Sequence, residues 1–347
     1  MRILVFIWIA TLISCSQPEK KQPEIQRVSL GVEEVSDYPK MLSEWGFFKM
    51  PMSDLIPNDA RTFSYEINAA LFSDYAHKAR FIQLPASQKI GYHDSEALIF
   101  PENTVLIKNF FYPFNSQSPE SGRRIMETRL LIHEKKGWKA IAYQWNEEQT
   151  DAKRVILGKK VPVEWKDTNG TLQRIDYSIP SQPQCKSCHD LGGKMTPIGP
   201  TARQLNKGGQ LTHWVEKGWL DVEADATFPK LVDYSNENEE LDARARAWLE
   251  VNCAHCHRRE GPAKNSGLYL LASQADPYRL GVNKPPIAAG KGSGGLKYSI
   301  VPGNPKQSIL VHRIASLEPG EMMPELGRKM THKEGVELIS AWITSME

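Results

Sequence analysis

Residues 176–193 read "DYSIPSQPQCKSCHDLGG", and the fold class turns on what changes inside them. Up to Ile179 the chain reads as strands; from Cys185 onward it reads as helices and glycine-rich loops. The switch coincides with two cysteines two residues apart, Cys185 and Cys188, and His189 directly behind the second. The arrangement recurs in "VNCAHCHRREGP" at 251–262, as Cys253, Cys256 and His257. The chain has 5 cysteines, so these two short stretches use all but one.

Upstream of the switch, β-branched and aromatic residues crowd "TVLIKNFFYPF", and "RIMETRLLIH" leads through the turn "EKKG" into "WKAIAYQW". Ile141, Tyr143 and Trp145 there share one face at strand period. "VPVEWKDTNGTLQRIDYSI" places Asn169-Gly170 between two strand-like runs, a hairpin signal. Residues 45–180 are therefore expected to form a β-rich domain, an antiparallel sandwich or barrel. Downstream, "LDARARAWLEVNC" carries Leu241, Ala245, Trp248 and Leu249 on one helical face and runs into the second cysteine pair. "THKEGVELISAWITSM" opens with Thr331 and Glu334 as a capping box, with Val336, Ile339, Ile343 and Met346 along one stripe.

A haem carries two vinyl groups, each able to form a thioether with a cysteine. Two residues between the thiols on one helical turn match the vinyl spacing, and the adjacent histidine meets the iron. Cys185, Cys188 and His189 are expected to hold one haem c; Cys253, Cys256 and His257 hold the other. A zinc ribbon spaces its CxxC pairs by about 15–20 residues, whereas 64 residues separate Cys188 from Cys253. A thioredoxin-like pair does not explain a histidine in both places, and a Cys-x-x-Cys disulfide is a tight, unusual loop. The expected fold class is thus α+β multidomain. The β domain is followed by mainly α cytochrome c-type haem domains, the first over 181–235 and the second over 236–347.

Haem chemistry depends on the sixth ligand. "GEMMPELGRKM" resembles the Met-Pro loop of the cytochrome c family, in which the methionine before proline binds iron; the match selects Met323 over Met322. "SIVPGNPKQSILVHRI" and "GVELISAWI" resemble later segments of the same family. For the first haem several candidates stay open. Met195 lies six residues past His189, and six extended residues reach only about 20 Å, with little slack to round a macrocycle. "CHDLGGKMTPIGP" resembles a cytochrome c loop whose Gly-Pro pair lies on the proximal side; that resemblance makes the Pro200 carbonyl the acceptor for His189. His213, in "QLTHWVEKGWL", is the preferred sixth ligand. A water-bound or open iron and a ligand from the β-rich half are the remaining choices.

The chain opens "MRILVFIWIATLISCSQPEKKQPE". Its apolar run Ile3–Ile13 is too short for a bilayer core of about 30 Å and reads as the core of a secretory signal, residues 1–14. "LISC" resembles the lipobox of bacterial lipoproteins, which makes Cys15 the lipidated first residue and accounts for the fifth cysteine. Ser16 resembles the outer-membrane-sorted type. Residues 15–44 are polar and read as a tether. The expected location is the periplasmic face of a bacterial membrane, the outer one; export fits, since bacteria attach c-type haem outside the cytoplasm.

With 43 basic and 41 acidic residues, nothing calls for nucleic acid as a partner. "GKGSGG" at 290–295 lacks the Walker spacing and is taken as a connection. His255 is taken as solvent-facing, and Trp214, Trp219, Trp248 and Trp342 as packing residues.

"NAALFSDYAHKARFIQLP", "FPENTVLIKNFFYP", "RIMETRLLIH", "YQWNEEQTDA", "PQCKSCH", "PIGPTARQLN", "ARAWLEVNCAHCH" and "MMPELGR" together resemble a family of exported bacterial dihaem c-type cytochromes of unknown physiological role. The resemblance implies two covalently bound haem c groups and electron transfer with a redox partner protein, for which a parallel β-helix protein is a candidate. It favours an electron carrier over a stand-alone enzyme. The alternatives are a dihaem peroxidase, an oxidoreductase with one open haem, or the haem-bearing subunit of a partner dehydrogenase.

Overall fold

"VLIKNFFYP" is β-branched and aromatic along most of its length, and it forms a strand at the middle of the molecule's largest sheet. The structure is a computed structural model that describes residues 38–287 and 289–347. The expected signal peptide, the lipidation site Cys15 and most of the tether lie outside the described residues. In chain order the β-rich part comprises β1 (Thr62–Ser64), β2 (His77–Gln83), β3 (Ile90–Gly91), β4 (Val105–Pro113), β5 (Arg123–Glu134), β6 (Gly137–Trp145), β7 (Ala152–Val155), β8 (Lys159–Lys166) and β9 (Leu172–Ile179). Six of them pair antiparallel in the order β1-β2-β4-β5-β6-β7, with β1 and β7 as open edges. β8 and β9 form a separate hairpin around the expected turn, where Gly170 takes φ 78°.

Alternation along the strands gives the sheet two faces. One carries Phe81, Ile107, Leu130, Ile141 and Tyr143, all buried. The chain before β1 covers it: Phe48 packs edge-on to Phe81 at 5.1 Å, and Trp45 Nε1–H donates to the Tyr143 hydroxyl at 2.7 Å. The end of the expected tether is therefore folded, with Leu42 buried. On the other face, Ile82, Leu106, Leu131 and Ala140 pack beneath residues that follow the first CxxCH motif, among them Leu205, Leu211 and Trp214. At its far end Phe110, Tyr112 and Ala142 pack beneath the β8–β9 hairpin. The charged middle of this face lies between those two apolar ends.

The second half corrects the expected fold class. It is not a pair of mainly α cytochrome domains; the molecule is a mixed α/β structure built on a large antiparallel sheet. The described helices are α1 (Gln182–His189), α2 (Ala202–Leu205), α3 (Gln210–Glu216), α4 (Leu241–Leu249), α5 (Pro277–Leu280), α6 (Ile309–Ala315) and α7 (Lys333–Thr344). Between them run β10 (Asp190–Leu191), β11 (Lys194–Met195) and β12 (Leu220–Asp221). The physical reason is interruption. Gly192, Gly193, Pro197, Pro200, Gly208, Gly209 and Gly218 break every apolar run before it reaches the length at which a helix becomes self-supporting. The segment expected to carry the first haem is also stitched to the β-rich part, since β12 pairs in parallel with β3 and α1 packs on β6. Residues 39–347 make one compact unit.

α4, α6 and α7 enclose a second core around Trp248, Ile314, Ile339, Trp342 and Ile343. The α7 capping box does not form. His332 takes the N-cap position, Thr331 Oγ1 donates to the Ala315 carbonyl, and Glu334 accepts from the Tyr75 hydroxyl at 2.9 Å. Tertiary partners outbid the local cap. Among the described residues, no helix is long and apolar enough to cross a membrane.

His332 joins three parts of the molecule. Its ring stacks on Phe72 at 4.4 Å, and its Nδ1 accepts from Trp248 Nε1–H at 2.9 Å. Burial pulls its pKa down to about 4, against a small opposing pull from Glu334. The sign follows: between about pH 6.5 and 4 the unfolded chain binds a proton here that the folded protein does not. Stability at this site is complete above pH 6.5 and falls, by on the order of 3 kcal/mol, as pH drops through that window. Urea unfolding of the wild type and His332→Gln from pH 7 to 4.5 should show a flatter pH slope for the variant. Equal slopes would refute this role.

Candidate haem sites

The first motif sits on α1, capped by Ser181, whose backbone N–H donates to Gln184 Oε1 at 2.9 Å. Cys185 and Cys188, three apart, fall on one side of that helix. The β10–β11 hairpin then turns the chain back on itself, pairing Asp190 with Met195. This brings the Thr196 carbonyl to 2.8 Å from His189 Nδ1. A carbonyl can only accept, so Nδ1 carries the proton and Nε2 keeps its lone pair. The expected acceptor, Pro200, is not the one used: its carbonyl takes the Leu98 N–H at 2.9 Å instead. The tight Gly192-Gly193 turn shortens the return path, so the nearer carbonyl wins.

The second motif is reached through α4, which continues into one π-helical turn over Glu250–Ala254. Such turns concentrate at functional positions. The His257 N–H donates to the Cys253 carbonyl at 2.9 Å. His257 Nδ1 lies 3.1 Å from Ser266 Oγ, and that hydroxyl already donates to the Ala263 carbonyl at 2.7 Å. With its proton committed, Ser266 accepts from His257, and Nε2 is again the unprotonated nitrogen. Both motif imidazoles are held neutral: burial pulls the pKa of His189 and of His257 down to about 4. None of the four motif cysteines is in a disulfide. Burial pushes Cys253 and Cys256 up to about 12. A free thiol pair on one turn, followed by an imidazole presenting Nε2, is the donor set that haem c requires, so the residues fit the group at both motifs.

The Met-Pro loop runs beside the second motif. Met323 N–H donates to the Arg313 carbonyl at 2.9 Å. The Glu325 carboxylate is close enough to help raise Cys256, Arg328 acts on Cys253, and Arg313 acts on His257. Met323 itself is half-buried, as is Met322.

The two motifs lie against each other. Gly192 N–H, four residues past Cys188, donates at 2.9 Å to the carbonyl of Glu260, four residues past Cys256. After burial, Cys188 is the largest influence raising Cys256. A cavity of about 60 Å³ between the motifs is lined by Cys188, His189, Ala254, His255, Glu96 and Arg258. It has room for a few water-sized molecules. Its wall includes the ion pair of Arg258 with Glu96, Nη1 to Oε2 3.0 Å. His255, expected to face solvent, is half-buried on this cavity, and its Nδ1 is buried without a hydrogen-bond partner. The packing of one motif on the other, invisible in sequence, turns it inward.

The sixth-ligand candidates for the first haem fare differently. His213 is exposed, 53% for its side chain, and its described contacts are with Glu216 and Trp219 rather than with the first motif. Met195 is half-buried and packs with Cys185 in the core beneath α2 and α3. Trp214, Trp248 and Trp342 are buried packing residues, and Trp219 stacks on Phe63 at 4.0 Å. "GKGSGG" forms a 3-10 turn, Gly290–Ser293, beside α6. Sequence reasoning missed Lys78, Arg80, Lys108 and Arg129. Two come from β2 and one each from β4 and β5, and only the register gathers them on the sheet face toward the first motif. The available signal was a charge at a core-facing position of an otherwise apolar strand.

Among the described residues, no group of three His, Cys, Asp or Glu side chains converges where a metal ion could be held; iron would enter with its porphyrin. The chain matches no known family model, no curated protein and no solved structure.

Proposed function

We propose that the protein is a dihaem c-type cytochrome that passes electrons between its two haems, and from them to a partner, in the bacterial cell envelope. The observation that carries this reading is the juxtaposition of the two CxxCH motifs, linked by the Gly192–Glu260 hydrogen bond. Electron transfer falls steeply with distance, and two motifs in contact keep both irons within one short path.

The haem iron supplies one-electron chemistry when bound. The chain supplies the rest. Cys185, Cys188, Cys253 and Cys256 would hold the macrocycles by thioethers, and His189 and His257 present neutral Nε2 in orientations set by Thr196 and Ser266. Met323 would be the second protein ligand held toward the second haem. Methionine ligation raises a haem's potential, which would make the second haem the better electron acceptor of the two. Lipidation at Cys15 would hold the carrier on the periplasmic face of the outer membrane, within reach of a redox partner. The exposure of His213 favours one second reading, an oxidoreductase or peroxidase whose first haem keeps an exchangeable position.

One sample decides between them. Haem is counted per chain after acid-acetone extraction, and an electron paramagnetic resonance spectrum is recorded in the fully oxidised state. The expected result is two covalent haems, both low-spin, one of His/Met type, with the first titrating at the lower potential. Fewer than two covalent haems removes the proposal. A high-spin signal at one haem selects the second reading.

A further inference from the structure

Arg80, Lys108 and Arg129 sit directly opposite one another on the adjacent strands β2, β4 and β5. Lys78, two residues before Arg80, shares their face. Like charges directly opposite on a sheet repel, and here four cations meet in the interior. Glu127 is the one carboxylate among the described residues that forms an ion pair with any of them, through Arg129 at 2.5 Å. Lys78 donates to the Leu71 carbonyl at 2.9 Å. Lys108 and Arg129 lean over the Phe110 ring, 5.0 and 4.2 Å from its centroid. Arg129 Nε is buried and lacks a partner.

Burial drives the Lys108 pKa well below its usual value and brings Lys78 to about 7. Arg129 keeps 34% of its side-chain surface accessible. This charged face is turned toward the first motif: Arg129 acts on both Cys185 and Cys188, and Lys108 acts on His189. Two apolar ends hold this ladder in place, one under α2 and α3 and one under the β8–β9 hairpin. With one ion-paired carboxylate facing four basic side chains, this face is complementary to an anion, and an anion bound there would favour the charged forms of the lysines.

We propose that Lys78, Arg80, Lys108 and Arg129 form a carboxylate-binding platform, and that the two propionates of the first haem occupy it. The inference rests on the haem reading above and adds what the sheet contributes to it: the β-rich part is the electrostatic floor of the first haem. Guanidinium groups bind carboxylates by paired hydrogen bonds and ammonium groups by charge. The platform would offset the propionates, which otherwise disfavour the reduced haem.

The test uses the full haem-loaded protein. Lys108→Met keeps length and removes the charge; Lys108→Arg restores it; Arg80→Met is a second, independent deletion. Haem is counted on every sample, and both midpoint potentials are measured. Each deletion should lower the reduced-to-oxidised ratio of one haem, the one without the His/Met signal, about tenfold at fixed potential, equal to about 59 mV for one electron. The other haem should not move, and Lys108→Arg should recover the wild-type value. Acetate, nitrite and sulfite should leave the wild-type haem spectra unchanged at constant ionic strength. A saturable spectral change at the first haem on adding one of these would mean that the platform holds an exchangeable anion, and would overturn the propionate assignment. Two full haems with unchanged potentials in both deletions would overturn the platform alone. A wild-type chain with no haem at the first motif would overturn the haem reading and the proposal with it.

Discussion

Glu127→Ala is expected to cost about 3–5 kcal/mol of stability. Glu127 is fully buried, and its Oε1 lies 2.5 Å from both Arg129 Nη2 and the Tyr177 hydroxyl. Removing the carboxylate strands a buried guanidinium and a buried phenol at once. It also takes away the counter-charge that holds Arg129 ionised against the effect of burial. Glu127→Gln keeps an acceptor for Tyr177 but no charge, so its loss should be smaller. The exposed pair Arg174–Glu164, on the outer hairpin, is the control. Glu164→Gln should change stability by less than about 1 kcal/mol. Urea denaturation of the purified protein measures all three, and equal midpoints for Glu127→Ala and Glu164→Gln would show that the buried cations have another partner.

Gly261→Ala should damage the proposed second haem site more than the proposed first one. A Cβ at this position would fall against the Cys256 carbonyl oxygen, with the carbonyl carbon 2.9 Å away. That carbonyl accepts the Ala263 N–H at 3.1 Å and closes the turn behind His257. The obstacle is backbone, so no side-chain rotation relieves it. Either Cys256 or the turn carrying Ser266 must shift. Overpacking of this kind costs about 1–3 kcal/mol, and here it also moves the group that orients His257. The expected outcome is loss of the His/Met signal and a haem count falling toward one per chain. Gly199→Ala, where a Cβ meets nothing within 4 Å, should stay within about 0.5 kcal/mol of wild type with both haems present. Two haems and an unchanged spectrum in Gly261→Ala would contradict the role given to this turn.

Much of the local structure was legible in the sequence. Strand period and β-branched content located β4, β5 and β6, and Asn169-Gly170 marked the β8–β9 hairpin. The helical stripe leading into Cys253 was equally plain. These features depend on residues close in sequence, where spacing alone sets which side chains share a face. The two CxxCH motifs belong with them, because thiol spacing on one turn is a local property. The expectation of mainly α haem domains failed because it gave the second half a regularity that its glycines and prolines do not allow.

What the sequence by itself determined, then, is the chemistry on offer: four thiols, two imidazoles behind them, a Met-Pro loop and a run of strands. Only the tertiary structure decided who faces whom. It replaced Pro200 with Thr196 as the His189 acceptor, turned His213 outward and His255 inward, and laid one haem motif on the other. It also gathered Lys78, Arg80, Lys108 and Arg129 from three strands onto one buried face. The physical reason is that strand register and loop return paths fix which distant residues become neighbours. Charges carried on separate strands become one electrostatic site only when the strands are set side by side.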